Sequence, residues 1–202
     1  MAPAKRPATY ADLEALPEHV VGEIIDGELF VSPRPKPRHA VAATRIAADL
    51  DPAFGRGRGG PGGWWILAEP ELRLSRNVVI PDVAGWRRAR MPVPPDQVGI
   101  ELVPDWVCEV LSPSTSRMDR GKKMHVYAAH RIPHLWLVDP LLQSVEIYAL
   151  RDGHWSLLGV HLDDQRIRAE PFAEVELSLR DWWTTPPGTP SQASDLEAMY
   201  TP

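Results

Sequence analysis

VVIPDVAGW, residues 78–86, is an apolar, β-branched run of the kind that fills a buried strand, and it is interrupted by Asp82. A second run, DWVCEVLS at 105–112, carries the same kind of interruption at Glu109. An unpaired carboxylate in such a place is costly, so it is normally neutralised, hydrogen-bonded or bound to a cation. The two runs read as neighbouring strands, and the segment DRGKKMHVY at 119–127 follows them with two lysines. That order suggests a cation held by two carboxylates close to a positive side chain.

Working outward, HLWLVDP at 134–140 is a strand by composition, and residues 116–130 between it and the Glu109 run have helical spacing, with Met124, Tyr127 and Ala128 on one side. A strand, helix, strand succession predicts a parallel crossover. Before Asp82, WWILAE and ELRLS read as strands, and GEIIDGELFVS alternates about Asp26-Gly27, a strong hairpin signal. Thr9 and Asp12 mark a capping box for a short helix that Pro17 closes. The link SPRPKPRH reads as irregular, and the stretch from His39 to Phe54 as a helix with Val41, Ile46 and Leu50 on its apolar face. GRGRGGPGG is a flexible loop by composition whose Arg56 and Arg58 would meet any polyanion first. VEIYAL, HWSLLGV and VELSL predict further antiparallel strands.

With 202 residues the chain is expected to build one core. The expected organisation is a disordered end over 1–8, a single domain over 9–183 and a flexible tail over 184–202. Hydrophobic residues at 44% and charged residues at 24% match a folded protein rather than a disordered one. A net charge of −5 gives no global attraction for polyanions, so any nucleic-acid contact must come from a local patch or a bound metal. The single cysteine, Cys108, excludes an intrachain disulfide and reads as a small core residue. No apolar run is long enough to span a bilayer, and a cytoplasmic location is expected.

A hard divalent ion takes oxygen ligands, usually one or two carboxylates plus water and substrate phosphate. Asp82 and Glu109 supply the carboxylates, and the Val110 carbonyl offers a third oxygen. Lys122 or Lys123 would turn back toward the same point. Taken singly, Asp82 is a turn cap after Pro81, Glu109 an edge residue facing water, and Asp119 with Lys123 an ordinary i,i+4 pair. Taken together and in order, a shared site explains them better. Arg87 and Arg88, just past the Asp82 strand, are further candidates for phosphate contact, whereas Trp64, Trp65, Trp86, Trp106 and Trp136 read as core.

Pro81-Asp82, EVLSPST at 109–115, DRGKK at 119–123, Tyr127 and LWLVDP at 135–140 resemble the Uma-two family of restriction endonucleases, a branch of the PD-(D/E)XK nuclease superfamily. GEIIDGELFVSPRP at 22–35 followed by His39 extends the resemblance to roughly residues 10–183. It implies a restriction-endonuclease-like α/β core, a mixed β-sheet flanked by helices, that hydrolyses DNA with magnesium or manganese. By the same resemblance Asp82 and Glu109 would be metal ligands and Glu23 an additional acid. The superfamily expects lysine two residues after Glu109, where this chain has Leu111. Lys123 matches that role best, with Lys122 its neighbour. His39 would touch phosphate, or cap and pack. A homodimer would let two sites cut the two strands of a duplex. The competing expectation is a nuclease fold kept for binding, without turnover.

Overall fold

Asp26 and Gly27 turn the chain through positive φ, 52° and 78°, the conformation a tight two-residue hairpin demands. The structure, a computed structural model, describes residues 6–184. The expectations for residues 1–5 and 185–202 lie outside the described residues. Arg6 to Ala8 do not form a loose end: Arg6 pairs with Asp12 at 2.6 Å and the Ala8 amide donates to the Gly27 carbonyl at 2.8 Å. The capping box at Thr9 is present, with the Asp12 carboxylate accepting from the Thr9 amide at 2.7 Å, and it opens α1 (Tyr10–Glu14).

The hairpin joins β1 (Val20–Ile25) to β2 (Glu28–Pro33). The helix α2 (Pro37–Leu50) begins inside the link that composition marks as irregular, because Pro37 stands in its first turn, where a missing N–H costs nothing. Its buried stripe is Ala42, Ile46 and Leu50, an i, i+4, i+8 series, and Val41 is only half-buried. A π-turn at Asp51–Gly55 ends it.

Next come β3 (Trp64–Ala68), β4 (Leu72–Leu74), β5 (Asn77–Val79), β6 (Val83–Arg87) and β7 (Trp106–Val110). The run at 78–86 is therefore not one strand. Pro81 has no amide to donate, so the ladder stops and Ile80 to Asp82 carry the chain from one sheet to another. Strands β2-β1-β5-β4 form the first sheet.

A short turn α3 (Ser116–Met118), a π-turn at Asp119–Lys123 and α4 (Met124–Ala129) make the expected crossover to β8 (His134–Asp139). With β9 (Ser144–Arg151) and β10 (His154–Leu162), the second sheet runs β10-β9-β8-β7-β6-β3. Among the described residues of this sheet only β7 and β8 pair in parallel, so the sheet is mixed, as expected. VELSL yields a two-residue strand, β12 (Leu177–Ser178), paired with β11 (Arg166–Ile167).

The central strands of the second sheet, β6, β7 and β8, are buried on both faces. On one, α2 and the C-terminal segment cover Trp64, Trp106, Cys108, Val110, Trp136 and Ile147. On the other, the first sheet and α4 cover Ala84, Trp86, Val107, Leu111, Leu135 and Leu137. The alternation along β7 thus sends Glu109 to the second face, together with Val107 and Leu111.

Candidate active site

Val83 pairs with Cys108 across β6 and β7, and one step back in that register brings Asp82, the last residue before β6, opposite Glu109. Asp82 accepts the Val110 amide at 2.7 Å, and His39 Nε2, from the first turn of α2, stands 3.2 Å from its other oxygen. Glu109 accepts from the Tyr127 hydroxyl and lies 2.7 Å from Lys123 Nζ. The same ammonium is 3.1 Å from Glu23 and 3.8 Å from Asp119, and donates to the Ile80 carbonyl at 3.2 Å. Glu23 in turn accepts the Ile80 amide at 2.8 Å, so the crossover segment is tied to both members of the pair.

Lys123 and Lys122 are separated by this geometry. Lys123 is 2% exposed within the cluster. Lys122 points to the surface, 3.1 Å from Glu28 and over the Phe30 ring, and is not part of the cleft. One residue along a helical turn rotates the side chain by about 100°, so only one of two adjacent lysines faces the strand.

Charge is the unusual property of the cluster. Glu23, Glu109 and Asp119 converge on a single ammonium, and all are buried. Burial pushes the Glu109 carboxyl well up, Lys123 opposing and Asp119, Asp82 and Glu23 adding to it. Asp119 is raised to about 6 by burial, against Lys123 and a hydrogen bond from Thr115. Lys123 also shifts up, because the surrounding carboxylates outweigh its own burial. These shifts express one imbalance: the lysine stays charged, and the acids still exceed the positive charge available. Tyr127 is pushed up by burial and by Glu109, so it remains a donor. Burial works against a charged His39, but Asp82, the Val110 backbone and Asp119 more than compensate and raise it. His39 Nδ1 is buried with no hydrogen-bond partner among the described residues.

Glu23, His39, Asp82, Glu109, Asp119 and Lys123 line a cleft of about 480 Å³, and Tyr127 lies outside its lining. One wall is the link Ser32 to Lys36, and the other is the turn from Ser112 to Thr115. Arg34 and Lys36 therefore stand at the mouth, and composition alone hid them: alternating Pro and basic residues signal a connector but not what it lines. Asp119 reads in the sequence as the i,i+4 partner of Lys123, and the structure keeps that pairing while burying the carboxylate, 3% exposed, in the cleft. Arg56, Arg58, Arg87 and Arg88 do not line the cleft. Arg87 closes β6, roughly 16 Å from Asp82 at about 3.3 Å per residue, because the strand carries it away from the acid at its start.

The architecture is a mixed β-sheet flanked by a few helices, and it matches a nuclease-like fold. The chain belongs to the Uma2 family, described as "Putative restriction endonuclease", whose model matches residues 7–180. Its fold is similar to a crystal structure from Anabaena variabilis described as "a putative nuclease belonging to DUF820", with a TM-score of 0.70 and 22% identity over 88% of this chain and 98% of that one. No curated protein matches the chain. No helix among the described residues is long and apolar enough to cross a membrane.

Proposed function

We propose that this protein is a divalent-metal-dependent DNA endonuclease that hydrolyses phosphodiester bonds in the cleft between Asp82 and Lys123. The observation that carries the reading is the surplus of buried acid around Lys123, with Asp82 entering the same cleft. A cation relieves such a surplus. Asp82, Glu109 and the Val110 carbonyl fit magnesium or manganese in donor type. Among the described residues no three His, Cys, Asp or Glu side chains form a ready ligand set. A hard divalent ion takes one or two carboxylates and completes its shell with water and substrate phosphate. When bound, the ion would acidify a water and draw charge from the phosphate.

The chain's own groups have separable tasks in this reading. Lys123, fixed by Glu23 and the Ile80 carbonyl, would orient the nucleophile or share the developing negative charge. Tyr127 orients Glu109, and the Val110 amide with His39 orients Asp82. Arg34, Lys36 and the hydroxyls of Ser112, Ser114 and Thr115 would grip the backbone at the mouth. A homodimer would present two such clefts to a duplex.

The test is cleavage of supercoiled plasmid by purified protein with magnesium or manganese. Asp82→Ala and Glu109→Ala should each lower the rate roughly 10²-fold or more, with the circular dichroism spectrum unchanged. Undiminished cutting by both variants sinks the proposal. A second reading, a nuclease-fold module that binds without turnover, draws on the closed Lys123–Glu109 pair, in which the Tyr127 hydroxyl and the ammonium already occupy one carboxylate oxygen. Calorimetry with manganese separates the two, since the silent module takes up no ion.

A further inference from the structure

Two arginine-bearing segments about thirty residues apart in sequence meet at the end of the sheet opposite the acidic cleft. The glycine-rich stretch after α2 is pinned rather than loose. The Arg58 amide donates to the Pro52 carbonyl at 2.7 Å, and the Gly62 amide to the Ala53 carbonyl at 2.9 Å. At Gly60 the loop runs so close to the π-turn that a Cβ would stand 2.7 Å from the Ala53 side chain. The loop therefore holds Arg56 and Arg58 against the end of β6. There the Arg88 amide donates to the Gly63 carbonyl, and its guanidinium donates to the carbonyls of Trp64 at 3.1 Å and Gly55 at 2.8 Å.

Five arginines lie in these two segments, and Arg87 and Arg88 leave the end of β6 toward opposite faces of the sheet, one over Trp64 and the other over Trp65. Arg56 is held by Asp51 at 2.6 Å and Arg90 by Asp105 at 2.7 Å. Arg58, Arg87 and Arg88 are exposed and have no carboxylate partner among the described residues. Two of these are also stiffened: Arg87 lies 4.5 Å from the Trp64 ring and Arg88 3.9 Å from the Trp65 ring. A chain with a net charge of −5 thus keeps an ordered positive surface at one end. Exposed guanidiniums fixed by stacking and backbone contacts have already lost much of the side-chain entropy that binding would otherwise cost.

We propose that Arg58, Arg87 and Arg88 form a second nucleic-acid contact, separate from the cleft, that binds the sugar-phosphate backbone of duplex DNA without reading bases. The identity of the polyanion rests on the endonuclease reading above. The separation supports a single duplex touching both places: roughly 16 Å along β6 corresponds to about five base pairs at 3.4 Å each. The surface would thus hold flanking DNA about half a helical turn from the phosphate in the cleft.

The experiment is fluorescence anisotropy of a labelled duplex with the full chain in a chelator, so that no cutting occurs. The double variant Arg58→Glu/Arg87→Glu should weaken binding at least tenfold and flatten the dependence of log Kd on log salt by about two, one for each lost phosphate contact. Arg76→Glu/Arg166→Glu, an equal change of charge at exposed arginines elsewhere, should weaken it less than threefold. Equal weakening by both doubles, or none by the first, overturns the inference. So does competition by polyglutamate or by phosphatidylserine vesicles as effective as by unlabelled duplex. Loss of cleavage in Asp82→Ala together with unaltered binding in the arginine double rejects this surface and leaves the cleft standing.

Discussion

Lys123 Nζ lies 2.7 Å from Glu109 Oε1, a helix lysine against a strand carboxylate, and both residues are only 2% exposed. The contact shows how the chain manages without a lysine at position 111. Leu111 is buried with Val107, Leu135 and Leu137, while the first turns after β7 return the ammonium to the same carboxylate from the side.

Removing that ammonium should be severe. Lys123→Met leaves Glu23, Glu109 and Asp119 buried with no cation, and breaking a buried pair from one side costs about 3–5 kcal/mol. Urea unfolding at neutral pH measures it. Adding Glu109→Gln to Lys123→Met should restore part of the loss, because one surplus charge leaves with it. A Lys123→Met protein as stable as wild type would show that the acids are already neutral without the lysine.

Tyr127→Phe deletes only the hydroxyl that donates to Glu109 and leaves the ring in the core. The expected loss is about 1–3 kcal/mol, that of a buried acceptor losing its donor. If the tyrosine orients Glu109, plasmid cleavage per folded molecule should fall as well, whereas a purely structural role would lower stability alone.

Much of this was legible in the sequence, and the exceptions share a physical cause. The Asp26-Gly27 turn, the α2 helix, the parallel β7–β8 pair and the proximity of Asp82 to Glu109 follow from local chemistry: turn residues, periodicity and carboxylates in apolar runs. The split of residues 78–86 between two sheets depends on Pro81 ending one ladder, and a run of β-branched residues on either side conceals it. Arg34 and Lys36 at the mouth, and Arg87 at the far end of β6, are matters of tertiary placement. Residue type does not distinguish a basic side chain beside a carboxylate from one a strand-length away.

The aromatic cluster on the α2 face was half visible. The sequence marks the tryptophans as core, but the residue that Trp64, Trp106 and Trp136 surround is Phe172, whose ring is 4.7 Å from Phe54, 4.9 Å from Trp64, 5.0 Å from Trp106 and 5.6 Å from Trp136. Phe172→Ala should cost about 3–5 kcal/mol by opening a cavity that rigid indoles cannot fill. The thermal midpoint should drop with it. Because the cluster lies on the sheet face away from Glu109, cleavage per folded molecule at low temperature should stay near wild type. A large loss of rate in a fully folded variant would show that the face supports the cleft after all.

Arg120 and Glu146 provide a pH signature distinct from the cleft. The guanidinium makes two hydrogen bonds to the carboxylate, at 2.6 and 2.8 Å, and these hold Glu146 below its ordinary range, burial opposing and Tyr148 assisting. A carboxyl whose folded value is depressed contributes stability above its unfolded value, near 4.5, and loses that contribution as pH falls through the folded value. Arg120→Gln should therefore destabilise the protein at pH 7, and the gap from wild type should narrow steadily below about pH 4.5. The pair is partly exposed, so 1 M salt should also shrink the gap at pH 7. Urea midpoints of both proteins at pH 7 and at pH 3.5 decide the matter: a gap unchanged between the two would mean that Arg120 acts by packing its stem and not by its charge.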